Sequence, residues 1–367
     1  WTGWSNVNIK CLLNYGTPIQ SDFIIVPNQY FVQTEYPWKI PDTLLSYRTK
    51  IVIENVSNPS QTIESDIFRI KPYLLTRVNS DSTYYEYKKE RDQWGFSNTS
   101  EQMWPSQWYQ QFNYQGVDPF TGSNYPQWQG SFAFKEAKSQ NFPDWVSWVN
   151  TFTLNSCYWS TALRIYKQKA ILRWKATKDT AWGGSCFGLA ITNGIVFKNK
   201  AEFQTHYPSF PQFVQPNQVN SGNQVRQTVN EIFTHQFGQQ HVNYTIDSGL
   251  KKTPTMTLNR IKELLLSDND PVRSLTIYNN NGKGGHAIFP YRIIRNSSSG
   301  DIYSLYVYDN SIPLSTTPII INTADSNGNG SWKTTDWPGW GGTKKFFLMD
   351  PAQLYLINPS LSSIKLQ

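Results

Sequence analysis

The chain has 367 residues, of which 38% are hydrophobic and 16% charged, and its formal net charge is +7. This length exceeds a typical single core, so we expect two domains, and the 15 Trp, 21 Tyr and 20 Phe residues exclude a disordered chain. Basic residues are scattered, which argues against nucleic acid as a partner, and no apolar run approaches the ~20 residues needed for a membrane span. Low charge with many Asn, Ser, Thr, Tyr and Trp residues favours a secreted or cell-surface protein.

Residues 1–78 contain segments typical of short strands. The candidates are 7–13, 36–41, 47–54 and 66–70, with turn residues between them at 14–16, 27–28 and 58–60. This pattern predicts a small all-β sandwich of immunoglobulin or fibronectin type, with Trp38 and Phe68 in its core. We expect this domain to be a spacer; the alternative is a module that binds carbohydrate or an extracellular partner.

Residues 79–367 form the predicted second domain, and its first part is rich in tryptophan. The segment 79–155 contains Trp94, Trp104, Trp108, Trp128, Trp145 and Trp148. A substrate-binding aromatic platform is one interpretation. We prefer packing of an irregular, loop-rich segment, because aromatic rings bury large areas.

Helical spacing follows in the segments 158–174, 223–237 and 258–266, the last of which is predicted to be capped by Thr257. A glycine-rich turn leads to Cys186 and to the apolar run 189–197. In the first turn of a helix, unpaired N–H groups and the positive end of the helix dipole would favour the thiolate of Cys186. The alternative is a small buried core residue, and the turn alone does not decide between the two.

The other cysteines and histidines indicate no cofactor or metal. Cys11 and Cys157 are predicted to be separate buried thiols, the alternative being a disulfide between them. His206, His235 and His241 have no carboxylate or cysteine at metal-ligand spacing, so we interpret them as surface or packing residues.

The last third of the chain has the pattern of strands. The candidates are 275–278, 285–294, 302–308, 317–322, 346–349 and 354–357. Helices followed by an antiparallel sheet indicate an α+β fold. His286 enters one strand while Asp309 and Asn310 leave the next, so these side chains can come within reach of each other. Cys, His and an orienting Asp or Asn together perform acyl transfer.

A further stretch, 325–330, matches the start of a calcium loop, with Asp336 at its twelfth position. Strand-like residues flank it, however, and Asn-Gly pairs form ordinary hairpin turns. We therefore predict a hairpin.

Three short motifs resemble papain-like cysteine peptidases. They are the Gly-Ser-Cys-aromatic turn at 184–187, the Gly-His-Ala strand at 285–287 and the Asn-Ser pair at 310–311. The wider run 94–309 resembles secreted bacterial proteins that carry a papain-like domain behind an immunoglobulin-like module. The resemblance implies a papain-like α+β catalytic domain, a protein or peptide substrate, and hydrolysis of peptide or isopeptide bonds.

The resemblance also implies a role for each site residue. Cys186 would be the nucleophile, His286 the general acid and base, and Asp309 or Asn310 the orienting residue. We favour Asp309, because its charge can stabilise an imidazolium.

The chain departs from the family pattern in one respect. Papain-like enzymes keep a glutamine a few residues before the cysteine, and this chain has Lys-Asp-Thr-Ala at 178–181. The Cys186 N–H can supply one oxyanion donor, and the sequence names no second. A catalytically inactive cell-surface binding module and an acyl-transferring, transglutaminase-like enzyme therefore stay open as alternatives.

Overall fold

The computed structural model divides the chain into two compact units. It describes residues 4–30, 35–38, 40–41, 44, 46–70, 74–76, 78–79, 85–103, 120–121, 143, 145–178, 182–199, 222–266, 272–282, 284–296, 301–324 and 327–349. One unit comprises Trp1–Leu74 with Ile293–Tyr303, and the other Leu75–Arg292 with Ser304–Gln367.

The first unit is built on an antiparallel sheet. Its strands are β1 (Asn6–Leu13), β2 (Ser21–Tyr30), β3 (Ser46–Asn55), β4 (Asn58–Glu64) and β5 (Phe68–Ile70). They pair in the order β2-β1-β3-β4, with β5 on β3. Alternate residues Val7, Ile9 and Cys11 of β1 are buried, as expected for a strand with one face on a core. The all-β character of this region is confirmed, and the sandwich stays a prediction.

Two turn predictions in this unit were wrong. Pro27 and Asn28 lie inside β2. Val7 pairs with Gln29 and Ile9 with Val26, so β2 has one more residue than β1 between these two pairs. This bulge accommodates a proline that cannot donate to a regular ladder. Residues 58–60 belong to β4, and the hairpin turns at 56–57 instead.

The core contacts of the first unit agree with the sequence in part. Trp38 and Phe68 are partly buried and pack against the cluster of Cys11, Leu44 and Ile70. Residues 36–38 and 40–41, which were predicted to be extended, form no strand.

In the rest of the chain the helices precede most strands of the main sheet, and short strands lie before and among these helices. The helices are α1 (Lys89–Asp92), α2 (Ser100–Met103), α3 (Trp145–Phe152), α4 (Leu154–Cys157), α5 (Gln168–Lys178), α6 (Cys186–Lys198), α7 (Gly222–Thr234), α8 (Gln239–Asp247) and α9 (Pro254–Leu266). The strands are β6 (Leu74–Thr76), β7 (Val78–Asn79), β8 (Tyr85–Glu86), β9 (Tyr158–Ser160), β10 (Ile165–Tyr166), β11 (Leu275–Tyr278), β12 (Gly285–Arg295), β13 (Ile302–Tyr308), β14 (Ile319–Asn322), β15 (Ser331–Lys333), β16 (Gly341–Gly342) and β17 (Phe346–Leu348). The main sheet runs β16-β15-β14-β13-β12-β11-β17, so the α+β class is confirmed. No helix within the described ranges combines the length and apolar character that a bilayer span requires.

Helix α6 lies at the centre of the second unit, and all its residues from Phe187 to Phe197 are buried. It packs closely on α7, since a Cβ added at Gly188 would lie 2.0 Å from the Val229 carbonyl oxygen. The buried rings of Trp94, Trp145 and Trp148 confirm the packing interpretation for these three tryptophans. Trp104, Trp108 and Trp128 lie outside the described residues.

The helical half differs from prediction at two places. The segment 158–166 is the hairpin β9–β10, turning at Arg164 with a φ of 59°, and only α5 beyond it is helical. Helix α9 begins before Thr257, whose hydroxyl donates to the Phe346 carbonyl at 2.7 Å. Thr253 accepts a hydrogen bond from the Met256 N–H instead, which is the contact of an N-cap.

Two smaller predictions are confirmed. Strands β14 and β15 form an antiparallel hairpin around the Asn-Gly turn, although residues 325–326 lie outside the description. Cys11 and Cys157 are separate, buried thiols and are not joined by a disulfide. The predicted strand 354–357 lies outside the described residues.

Candidate active site

Cys186 is the first residue of α6, and its side chain is half-buried. Ser185 occupies the N-cap position, but its hydroxyl donates to Asn230 Oδ1 at 2.6 Å and makes no capping bond to α6. Asn230 in turn donates to the Met103 carbonyl at 2.9 Å. The turn before the cysteine is therefore anchored to α7 and α2, while the first N–H groups of α6 keep their capacity to bind an anion.

Gly184 allows a third segment to reach this turn. Its φ is 142°, in a region that favours glycine, and an added Cβ would lie 2.4 Å from Asn98 Oδ1. The Asn98 N–H donates to the Asn310 carbonyl at 2.7 Å. Asn98 thus lies between the cysteine turn and the end of β13.

His286 and Asp309 are in direct contact. His286 follows the first residue of β12, Asp309 follows the last residue of β13, and His286 Nε2 lies 2.8 Å from Asp309 Oδ1. The Trp337 indole N–H donates to Asp309 Oδ2 at 2.7 Å, and the Ser311 N–H donates to Oδ1 at 2.9 Å. Contacts with three residues, His286, Trp337 and Ser311, therefore fix the position of the carboxylate beside the imidazole.

The environment favours an ion pair at these two residues. Burial disfavours the imidazolium, but hydrogen bonds to Asp309 and to Cys186 outweigh it and raise the pKa of His286 to about 9. Burial likewise opposes ionisation of Asp309, yet the bond to His286 prevails and lowers the pKa of the carboxyl. Because Nε2 faces Asp309, Nδ1 is the ring nitrogen left for the thiol.

Asn310 has different partners. Its side chain is fully buried, and Nδ2 donates to the carbonyls of Cys186, at 3.0 Å, and Ala287, at 2.7 Å. The sequence left Asp309 and Asn310 open as the orienting residue. The structure brings Asp309 to the imidazole and Asn310 to the backbone of the two segments that carry Cys186 and His286.

A cavity of about 680 Å³ opens at Cys186 and His286. Its aromatic lining consists of Trp182, Phe187, Phe233, Phe237, Tyr278, Trp337 and Trp340. Asn98 and Arg173 also line it. No spacing pattern in the sequence links Asn98, Arg173 or Trp337 to the cysteine or the histidine, so the sequence did not predict these three lining residues.

The remaining histidines pack against aromatic rings. His235 and His241 are buried, with ring centroids 6.1 Å from Phe152 and 5.1 Å from Phe187 respectively. His206 lies outside the described residues. Within the described ranges, no group of three or more His, Cys, Asp or Glu side chains is arranged to hold a metal ion.

Comparison with known proteins gives no relative: no family model, curated protein or solved structure matches this chain. The site is therefore interpreted from its own geometry.

Proposed function

We propose that this protein is a papain-like cysteine hydrolase that cleaves peptide or isopeptide bonds. The observation that carries the proposal is the contact of His286 Nε2 with Asp309 Oδ1 at 2.8 Å. The same imidazole ring also interacts with Cys186, and both residues line an open cavity. A nucleophile, a base and a residue that orients the base are the three parts of a general acyl-transfer site.

The chemistry follows from the protonation states. Cys186 gives its proton to His286, and the sulfur attacks the carbonyl carbon of the substrate, forming a C–S bond and an oxyanion. The imidazolium then protonates the amine as the C–N bond breaks, which leaves a thioester. Neutral His286 next removes a proton from water as the water oxygen attacks the thioester carbon. The C–S bond then breaks, the imidazolium returns its proton to the sulfur, and the acid is released. Asp309 stays ionised and stabilises the imidazolium in both halves.

Two groups are suited to bind the oxyanion. The Cys186 N–H belongs to the first turn of α6, where backbone donors have no partner within the helix. Asn98 carries a side-chain amide on the cavity wall beside Gly184, and the Nδ2 group of this amide is a donor of the kind that an oxyanion requires. Gln236 also lines the cavity, but its amide already donates to the Phe233 carbonyl at 3.1 Å. We assign the second donor to Asn98, in place of the glutamine that precedes the cysteine in papain-like enzymes.

Alkylation followed by mass spectrometry tests the nucleophile. We expect iodoacetamide and a peptidyl electrophile to modify Cys186 rapidly near neutral pH, and His286→Ala to slow the reaction by at least about tenfold. His235→Gln is the matched control, because His235 is a buried histidine of the same unit that does not line the cavity. Equal, slow labelling of the wild type and His286→Ala would overturn the proposal and favour an inactive binding module.

Turnover distinguishes the remaining alternatives. Release of new amino termini from a peptide mixture supports hydrolysis, whereas incorporation of an added primary amine into product supports a transglutaminase-like transfer. A secreted or cell-surface location and an extracellular partner for the N-terminal region are part of the same proposal.

A further inference from the structure

The described residues of the cavity lining carry positive charge and no carboxylate. Among the described lining residues, Arg173 is a permanent cation and none is Asp or Glu. Arg173 lies on α5, whose sequence QKAILRWKATK contains three Lys and one Arg and no Asp or Glu. This part of the cavity therefore has a positive potential that attracts anionic groups.

Arg173 is exposed to solvent, and one hydrogen bond orients its side chain. Its Nε donates to the Phe237 carbonyl at 3.3 Å, and Phe237 is the last residue of the 3₁₀ turn that precedes α8. Binding through Nε leaves the two terminal NH₂ groups of the guanidinium, and a planar pair of donors fits a carboxylate.

His241 provides an independent observation. It is the third residue of α8, is only 9% exposed and lines the same cavity, yet its Nδ1 has no hydrogen-bond partner within the described structure. Leaving a buried polar atom unpaired costs free energy, so an unpaired nitrogen on a residue that lines a cavity indicates a ligand that is missing. The His241 ring contacts Phe187, the residue that follows Cys186, at a centroid distance of 5.1 Å.

We infer that Arg173 and His241 form a subsite that binds a carboxylate of the substrate close to the scissile bond. The guanidinium supplies the charge and the paired donors, a neutral His241 with its proton on Nδ1 supplies a further donor, and the rings of Trp182, Phe233 and Phe237 line the same cavity. The carboxylate belongs either to an Asp or Glu side chain or to the C-terminus of a peptide. This assignment rests on the proposed function only in taking Cys186 as the point of attack.

Peptide binding to the full chain carrying Cys186→Ala tests the subsite without requiring turnover. The probes are two matched pairs: acetyl-Phe-Glu-Ala-amide against acetyl-Phe-Gln-Ala-amide, and acetyl-Phe-Ala with a free carboxylate against its amide. In calorimetry we expect the carboxylate member of at least one pair to bind about tenfold or more tightly. The pair that shows the preference identifies the source of the carboxylate.

The variants make the test specific. Adding Arg173→Gln should abolish the preference, and adding His241→Asn should reduce it. Lys175→Gln removes the same charge from an exposed position of the same helix outside the cavity and should leave the preference intact. Equal affinities within both pairs, or a preference that survives Arg173→Gln, would overturn the subsite.

The two proposals can fail separately. Rapid alkylation of Cys186 without a carboxylate preference would retain the hydrolase and reject the subsite. A carboxylate preference in a protein whose Cys186 alkylates slowly would retain the subsite on a binding module.

Discussion

At the scale of single residues, the adjacent residues Asp309 and Asn310 make different hydrogen bonds in the site. Asp309 bonds the imidazole, while Asn310 bonds the carbonyls of Cys186 and Ala287. The sequence could show that both residues end a strand near His286, but not which side chain faces the ring. Which of the two side chains faces the ring depends on the path of the chain after β13. Asn310 lies where the carbonyls of Cys186 and Ala287 can both accept from its amide.

The imidazole should titrate at unusually high pH. We expect the His286 ring to lose its proton at about pH 9 in an NMR titration, and Asp309→Asn to lower this pKa by at least about one unit because the imidazolium loses its counter-charge. Since the folded pKa lies above the ordinary value of 6.5, the stability that His286 contributes is fully present below pH 6.5 and is lost as the pH rises through about 9.

The slope of stability against pH provides the check. The free energy of unfolding of the wild type should fall between pH 6.5 and 9, and the Asp309→Asn variant should show a smaller fall. A His286 resonance that titrates near 6.5 in the wild type would contradict the ion pair.

At the scale of elements, the glycines around Cys186 set how closely α6 and its neighbours approach. An alanine Cβ at Gly188 would lie 2.0 Å from a backbone atom, Val229 O, which cannot rotate away. We therefore expect Gly188→Ala to lower the free energy of unfolding by about 1–3 kcal/mol or more through overpacking. Urea unfolding monitored by circular dichroism measures it.

Gly183→Ala is the matched control, because an added Cβ there meets no atom within 4 Å. It should unfold at nearly the same urea concentration as the wild type. A Gly188→Ala variant as stable as Gly183→Ala would show that α6 and α7 pack less closely than described.

Sequence patterns predicted elements where the local signal agreed with the tertiary environment. Strands β11 and β13 and helix α6 have strong apolar patterns and lie where the sequence indicated. The pattern of 158–166 suggested a helix, but these residues form a hairpin whose tyrosines pack on Trp145. The strands of this hairpin pair with each other, and the packing of their tyrosines on Trp145 lies outside the segment. Pairing with β1 decides the bulge at Pro27, so local spacing could not reveal either feature.

At the scale of the whole molecule, burial sorts the three thiols by reactivity. Cys11 and Cys157 are fully buried, burial raises the pKa of Cys11 to about 11, and Cys186 is half-buried. We expect mass spectrometry of the native protein to show one added carboxamidomethyl group, located at Cys186, because alkylation needs an accessible thiolate.

Denaturation should remove this selectivity. In guanidinium chloride all three cysteines should react, since none is protected by a disulfide. Rapid native modification of Cys11 or Cys157 would contradict the cores described for the two units.

The hydrogen bond between Ser185 and Asn230 has a consequence for genetics. Asn230 lies on α7 outside the cavity, yet it fixes the residue that immediately precedes the nucleophile. On the proposed function, a screen for inactive alleles should therefore recover changes at this amide alongside changes at Cys186, His286 and Asp309. A ranking of positions by their distance from the cavity would not identify Asn230, because its side chain acts through Ser185.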